Sequence, residues 1–88
     1  MIKLILLTQA DCTWCSDSRQ LLASLSREFP LSIDEVDLNS GQGSRLAAAH
    51  RLLFAPGLIA DGRLIAHGRL SGRALRRDLA RLSPTPES

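Results

Sequence analysis

The sequence predicts an α/β domain: a four-stranded mixed sheet with helices on both faces, in the order β-α-β-α-β-β-α. Three observations carry this. The apolar run from Ile2 to Thr8 suits a strand buried on both sides, which is the environment of a sheet covered by helices. Stretches with apolar residues at helical spacing alternate with short strand-like segments. Asp61-Gly62, set between two apolar segments, is a strong two-residue hairpin signal.

Taken in order, Ile2 to Thr8 is β1. From Thr13 to Glu28, Leu22, Leu25 and Phe29 recur at i, i+3 and i+7 with Leu21 beside them, and Pro30 stops the pattern, which predicts α1. Ser32 to Leu38 mixes apolar and acidic residues in imperfect alternation and reads as β2, a candidate edge strand. Asn39 to Gly43 reads as a turn, with Ser44 as N-cap of an α2 that buries Leu46, Ala49 or His50, and Leu53. Pro56-Gly57 ends that helix; Leu58 to Ala60 and Leu64 to His67 are β3 and β4 around the hairpin. Ser71 caps α3, whose Leu75, Leu79 and Leu82 form one apolar stripe. The β1-α1-β2 unit is expected to be parallel and right-handed, and the hairpin antiparallel.

The chain has 88 residues, 44% of them apolar, enough for one small core; residues 1–82 are expected to form the domain and 83–88, with Pro84 and Pro86, a flexible tail. A net charge of +2 does not point to nucleic acid, although the sign changes along the chain. Residues 1–40 set three basic against six acidic side chains, whereas from residue 41 eight arginines face three acids. Arg73, Arg76, Arg77 and Arg81 read as a solvated helix face in preference to a docking patch. The apolar part of the start is too short for a secretory core, and no stretch reaches membrane-spanning length. The expected setting is therefore cytoplasmic, with no membrane association and a monomeric chain.

Cys12 and Cys15, the only cysteines, lie between the first strand and the first helix in Asp11-Cys12-Thr13-Trp14-Cys15. A strand running into a helix leaves the first cysteine at the helix N-terminus, where free N–H groups and the macrodipole favour negative charge. A thiolate is such a charge, and it is the nucleophile of thiol chemistry; such settings lower a cysteine pKa from about 8.5 to roughly 3.5–7.5. In a reducing compartment a lone CxxC points to redox catalysis or metal binding before a structural disulfide.

These features, together with Ala55-Pro56 ahead of the hairpin and Gly68 after the last strand, resemble the thioredoxin superfamily over residues 2 to 82, specifically its small glutaredoxin-like and mini-thioredoxin members. The resemblance implies a cis bond at Ala55-Pro56 beside the sulfurs, with the backbone N–H and C=O of Ala55 offered to an extended substrate strand. It implies disulfide exchange in which Cys12 attacks and Cys15 resolves. Thr13, Trp14, Ala55, Pro56, Gly68 and Arg69 are then the substrate-binding positions. The partners implied are a disulfide-containing protein or glutathione and a reductase as electron donor. No bound cofactor is expected, with glutathione one candidate reductant.

Several positions depart from the family pattern. Gln9 stands where glutaredoxins often carry lysine or arginine, and Thr13-Trp14 where they often carry Pro-Tyr. Gly68-Arg69-Leu70-Ser71 keeps one glycine of their glutathione signature and puts Ser71 near the place of its aspartate, although Arg69 could still grip a glutathione carboxylate. Leu6 occupies the region of the buried acid of thioredoxins. Potentials across such proteins span on the order of 150 mV, so reductant and oxidant roles both stay open.

Trp14 reads equally as an apolar wall for substrate and as a packing residue. Asp11 and Asp17 are assigned to helix start and solvation, His50 and His67 to structural roles, and Asp37 to a turn. The competing reading is a soft-metal carrier, with the two thiolates holding Cu(I) or Zn(II), or an iron–sulfur binding module. Copper chaperones usually have methionine where this chain has Ala10, and they lack the proline-hairpin arrangement.

Overall fold

Seven elements in the expected order make up the computed structural model, which describes residues 1–82; the tail expected at 83–88 lies outside the described residues. They are β1 (Ile2–Thr8), α1 (Thr13–Leu25), β2 (Leu31–Asp37), α2 (Gly41–His50), β3 (Gly57–Ala60), β4 (Arg63–His67) and α3 (Gly72–Leu82).

The strands form one sheet in the order β2-β1-β3-β4. β1 pairs with β2 in parallel, Ile2 opposite Leu31 through Thr8 opposite Asp37, and with β3 antiparallel, Leu4 opposite Ala60 through Leu7 opposite Gly57. The central position of β1 explains its apolar run: neighbours on both sides use its backbone groups and helices cover its faces. β2 is an edge, as its mixed pattern suggests, and its exposed Asp34, Glu35 and Asp37 discourage pairing with another chain. β4 forms the other edge, with a register shift at Leu58/Ile59. Asp61 and Gly62, at φ +51° and +76°, make the tight turn of the β3–β4 hairpin, for which both central residues need positive φ.

Parity along β1 separates the two faces. Ile2, Leu4 and Leu6 point with Leu58 and Ala60 into the main core, against Leu22 and Leu25 of α1 and Leu75 and Leu79 of α3. Burying one such leucine contributes about 1.5–3 kcal/mol. On the opposite face burial rises along the strand, from exposed Lys3 through half-buried Ile5 to fully buried Leu7. That gradient arises because α2 and the following Leu52 cover only the far end of this face, where Leu52 rests on Gly57, the partner of Leu7.

Helix ends account for the differences from expectation. α1 stops at Leu25 and not at Glu28: Ser26, Glu28 and Phe29 still donate to carbonyls of the last turn, but the chain is already turning towards Pro30. α2 is capped by Ser40, not Ser44, and so begins inside the segment expected to be a turn. Ser40 Oγ accepts the Gly43 N–H at 3.0 Å and donates to the Asp37 carbonyl at 2.7 Å, locking the helix start onto the end of β2. Gly43 permits this approach, since a Cβ there would collide with the Asp37 carbonyl oxygen. Asp37 behaves as a turn residue as well, its Oδ1 accepting the Asn39 N–H at 2.8 Å.

With the start moved, α2 buries Gly43 and Ala47, half-buries Leu46 and His50, and leaves Ala49 exposed. The expectation that Leu53 lies on the buried face is corrected: α2 ends at His50, Arg51 turns left-handed at φ +56°, and Leu53 is 83% exposed. At α3 the reading stands, with Ser71 Oγ accepting the Ala74 N–H at 3.3 Å and Leu75 and Leu79 buried. Arg73, Arg76, Arg77 and Arg81 are exposed; Arg76 pairs with Glu28 at 2.8 Å and Arg77 with Asp78 at 3.5 Å.

Candidate functional site

β1 delivers the chain to Asp11, which turns it at φ +56° and sets Cys12 as the N-cap of α1. Asp tolerates this left-handed region better than most residues with a Cβ. Cys15 then falls in the first helical turn, on the stripe Cys15, Ser18, Leu22, Leu25 that α1 buries. Spacing alone therefore decides the difference in access: Cys15 is 1% exposed, whereas Cys12, off the stripe, is half-buried. Ser18 stays satisfied by donating to the Trp14 carbonyl at 2.7 Å.

Cys12 and Cys15 are joined by a disulfide, with their Cα atoms 5.2 Å apart. Cys12 Sγ also accepts the Cys15 N–H at 3.1 Å, a donor of the first helical turn that is shared with the Cys12 carbonyl at 3.2 Å. A thiolate at this position gains from that donor and from the helix dipole.

The Ala55-Pro56 bond is cis, and Pro56 is buried. The Pro56 carbonyl accepts the Gly68 N–H at 2.8 Å, tying the proline loop to the end of β4. The Ala55 N–H donates to Gln9 Oε1 at 3.3 Å across 46 residues of sequence, tying the same loop to the segment ahead of Cys12. The Ala55 N–H, one of the two backbone groups that the resemblance offers to a substrate strand, is therefore engaged by Gln9 in this structure.

Trp14 is 49% exposed and lies along Gly68, where a Cβ would sit 3.9 Å from its ring. Its ring also borders a cleft of about 260 Å³ with Asp17, Ser18, Leu21, Arg69 and Leu70. Thr13 is exposed and shares a shallow groove with Gln9, Cys12 and Arg19. The Arg19 guanidinium donates two hydrogen bonds to Glu35, at 2.8 and 2.7 Å. Those bonds hold the Glu35 carboxyl below the usual carboxylate range; slight burial opposes the shift, while the Arg19 charge and the Thr8 hydroxyl add to it. Leu6 is buried in the main core, so no acid stands there.

The segments carrying Cys12, Cys15, Trp14, Ala55, Pro56 and Gly68 thus meet at one end of the sheet, and Arg69 lines the same cleft as Trp14. Ser71, near the expected place of an aspartate, serves as a helix cap. His50 and His67 line a cleft with Arg51, Leu53 and Phe54 that includes neither cysteine, and among the described residues no group of three or more His, Cys, Asp or Glu side chains could hold a metal ion. Gln9 was legible only as a departure from a family pattern; its partner is too distant in sequence to be read from spacing.

The order of strands and helices described above recurs in solved structures. A thioredoxin mutant from Halobacterium salinarum NRC-1 superposes with a TM-score of 0.73 at 19% identity, over 96% of this chain and 76% of that one. The chain has the thioredoxin fold. Thioredoxin O2 from Arabidopsis thaliana, in its oxidized state, matches at TM-score 0.70 and 20% identity, over 96% of this chain and 76% of its own. An uncharacterized thioredoxin-like protein from Clostridium perfringens matches at 0.75 and 17%, over 93% and 71%. No protein-family model and no curated protein matches the sequence. In this chain the disulfide lies at the start of α1, and the segment just ahead of it is tied through Gln9 to Ala55 of the proline loop before β3. No helix among the described residues is long and apolar enough to cross a membrane.

Proposed function

We propose that this chain is a thiol–disulfide oxidoreductase in which Cys12 attacks and Cys15 resolves. The observation that carries the reading is the asymmetry of the pair: Cys12 caps α1, half-exposed and facing the Cys15 N–H, while Cys15 is buried on the helix stripe. The accessible sulfur meets substrate, and the buried one reaches only its neighbour.

In the reduced protein the Cys12 thiolate attacks one sulfur of a substrate disulfide. The substrate S–S bond breaks, its other sulfur leaves as a thiolate and takes up a proton, and a mixed disulfide forms. Cys15 loses its proton and attacks Cys12 Sγ; the mixed bond breaks, the second substrate sulfur leaves and is protonated, and the Cys12–Cys15 disulfide forms. Two electrons pass to the substrate, and an external thiol or reductase restores the dithiol. Thr13, Trp14, Ala55, Pro56, Gly68 and Arg69 are the proposed substrate contacts. Protein disulfides are the leading substrates, glutathione is a candidate reductant, and the chain works as a cytoplasmic monomer in this reading.

Insulin reduction followed by turbidity tests it. Cys12→Ser abolishes activity, while Cys15→Ser accumulates mixed disulfides with substrate; equal trapping by both variants would remove the assigned roles. Turnover with glutathione and its reductase, set against turnover with thioredoxin reductase, identifies the donor. Inactivity with both, together with stoichiometric Cu(I) or Zn(II) in the purified protein, would establish the carrier reading instead.

A further inference from the structure

Two large apolar side chains left exposed after α2 directly precede the cis-proline bond. Leu53 and Phe54 are 83% and 68% exposed, directly before Ala55-Pro56. Among the described residues, apart from Met1, the other exposed large apolar residue is Trp14, inside the CxxC. Leu53 and Phe54 form one wall of a cleft of about 260 Å³, shared with Leu64, His50, Arg51 and His67. No carboxylate lines it. Arg51 forms no ion pair among the described residues, whereas Arg19, Arg76 and Arg77 all do. The cleft is continuous with the redox surface, because His67 pairs with Gly57 and the next residue, Gly68, donates to the Pro56 carbonyl.

Resting on the function proposed above, we propose that Leu53, Phe54 and this cleft hold the segment flanking the disulfide of a substrate protein, an extended stretch carrying a large apolar residue with a carboxylate beside it. The apolar residue covers Leu53 and Phe54, which otherwise stay in water. The carboxylate pairs with Arg51, the one arginine lining the cleft, which forms no ion pair among the described residues. Phe54 directly precedes Ala55-Pro56, so a segment docked here runs on to the proposed substrate contacts around the disulfide. Protein disulfides with acidic, apolar flanks are then preferred over glutathione, which has no large apolar side chain.

Four disulfide-bridged peptides of equal length, flanked by Leu-Glu, Leu-Lys, Ser-Glu or Ser-Lys, test this with the full chain, alongside hydroxyethyl disulfide, which has no flanking residues. The expected KM for Leu-Glu is about tenfold below that for Ser-Lys, with the mixed peptides between. The double variant Leu53→Ser, Phe54→Ser removes the Leu-over-Ser preference. Arg51→Asn, which retains a residue tolerant of the left-handed backbone, removes the Glu-over-Lys preference. Reduction of hydroxyethyl disulfide persists in both variants. Equal KM for all four peptides overturns the proposal while leaving the oxidoreductase reading in place. So does a wild-type dimer that the double variant converts to monomer, because a second copy then covers the surface. Absence of turnover even with hydroxyethyl disulfide overturns both.

Discussion

Gln9 Oε1 accepts the backbone N–H of Ala55 at 3.3 Å, so a side chain from the segment ahead of the CxxC occupies the donor next to the cis-proline. An extended substrate strand docking at Ala55 needs that same donor for its own carbonyl, and must displace the Gln9 amide. A neutral hydrogen bond of this kind contributes about 0.5–1.5 kcal/mol net. Gln9→Ala is therefore expected to lower KM for insulin by roughly two- to tenfold, with kcat and hydroxyethyl disulfide reduction unchanged. Steady-state kinetics decide it: a raised KM would mean that Gln9 supports the loop and does not compete with substrate.

The start of α2 distinguishes two serines. Ser40 Oγ accepts the Gly43 N–H, whereas Ser44 lies inside the helix and is exposed. Ser40→Ala should cost about 0.5–2 kcal/mol, and Ser44→Ala should be close to neutral, since alanine is the better helix former. Urea unfolding of the two variants gives the comparison.

Gly43→Ala sets two effects against each other. Helix propensity favours alanine by about 1 kcal/mol. The added Cβ would collide with the Asp37 carbonyl, which is backbone and cannot rotate aside. Overpacking of this kind costs about 1–3 kcal/mol, so net destabilisation is expected in urea unfolding, with Ala48→Gly on the exposed face of α2 as the propensity control.

Glu35 gives the pH dependence. The Arg19 hydrogen bonds lower its folded-state pKa, so the native state holds fewer protons than the unfolded chain in the acid range. Its contribution is present above the unfolded carboxylate pKa and is lost as pH falls through the depressed folded value. Glu28, lowered by Arg76, acts with the same sign. Both pairs are exposed, so each effect is small and salt-sensitive. Glu35→Gln should have a slightly lower Tm than wild type at neutral pH, with the difference shrinking as pH falls into the acid range; thermal melts from neutral to acid pH measure it.

What the sequence by itself determined is what short-range pattern controls. The run Ile2 to Thr8, the leucine spacings of α1 and α3, and Asp61-Gly62 each commit a few consecutive residues to one local geometry, and element order follows from them. The difference in access between Cys12 and Cys15 is of this kind too, because position on the α1 stripe sets it. The tertiary structure decided what depends on one segment meeting another. Ser40 caps α2 in place of Ser44 because Gly43 fits against the end of β2. Leu53 leaves the core because Arg51 turns the chain before the apolar spacing runs out, and Ala55 loses its free N–H to a side chain 46 residues away. The Gln9–Ala55 contact depends on the shape of the closed sheet and its helices, and no short window of sequence contains both partners; at Ser40 and Gly43 the residues are close in sequence, but their fit depends on how the start of α2 folds back against the end of β2.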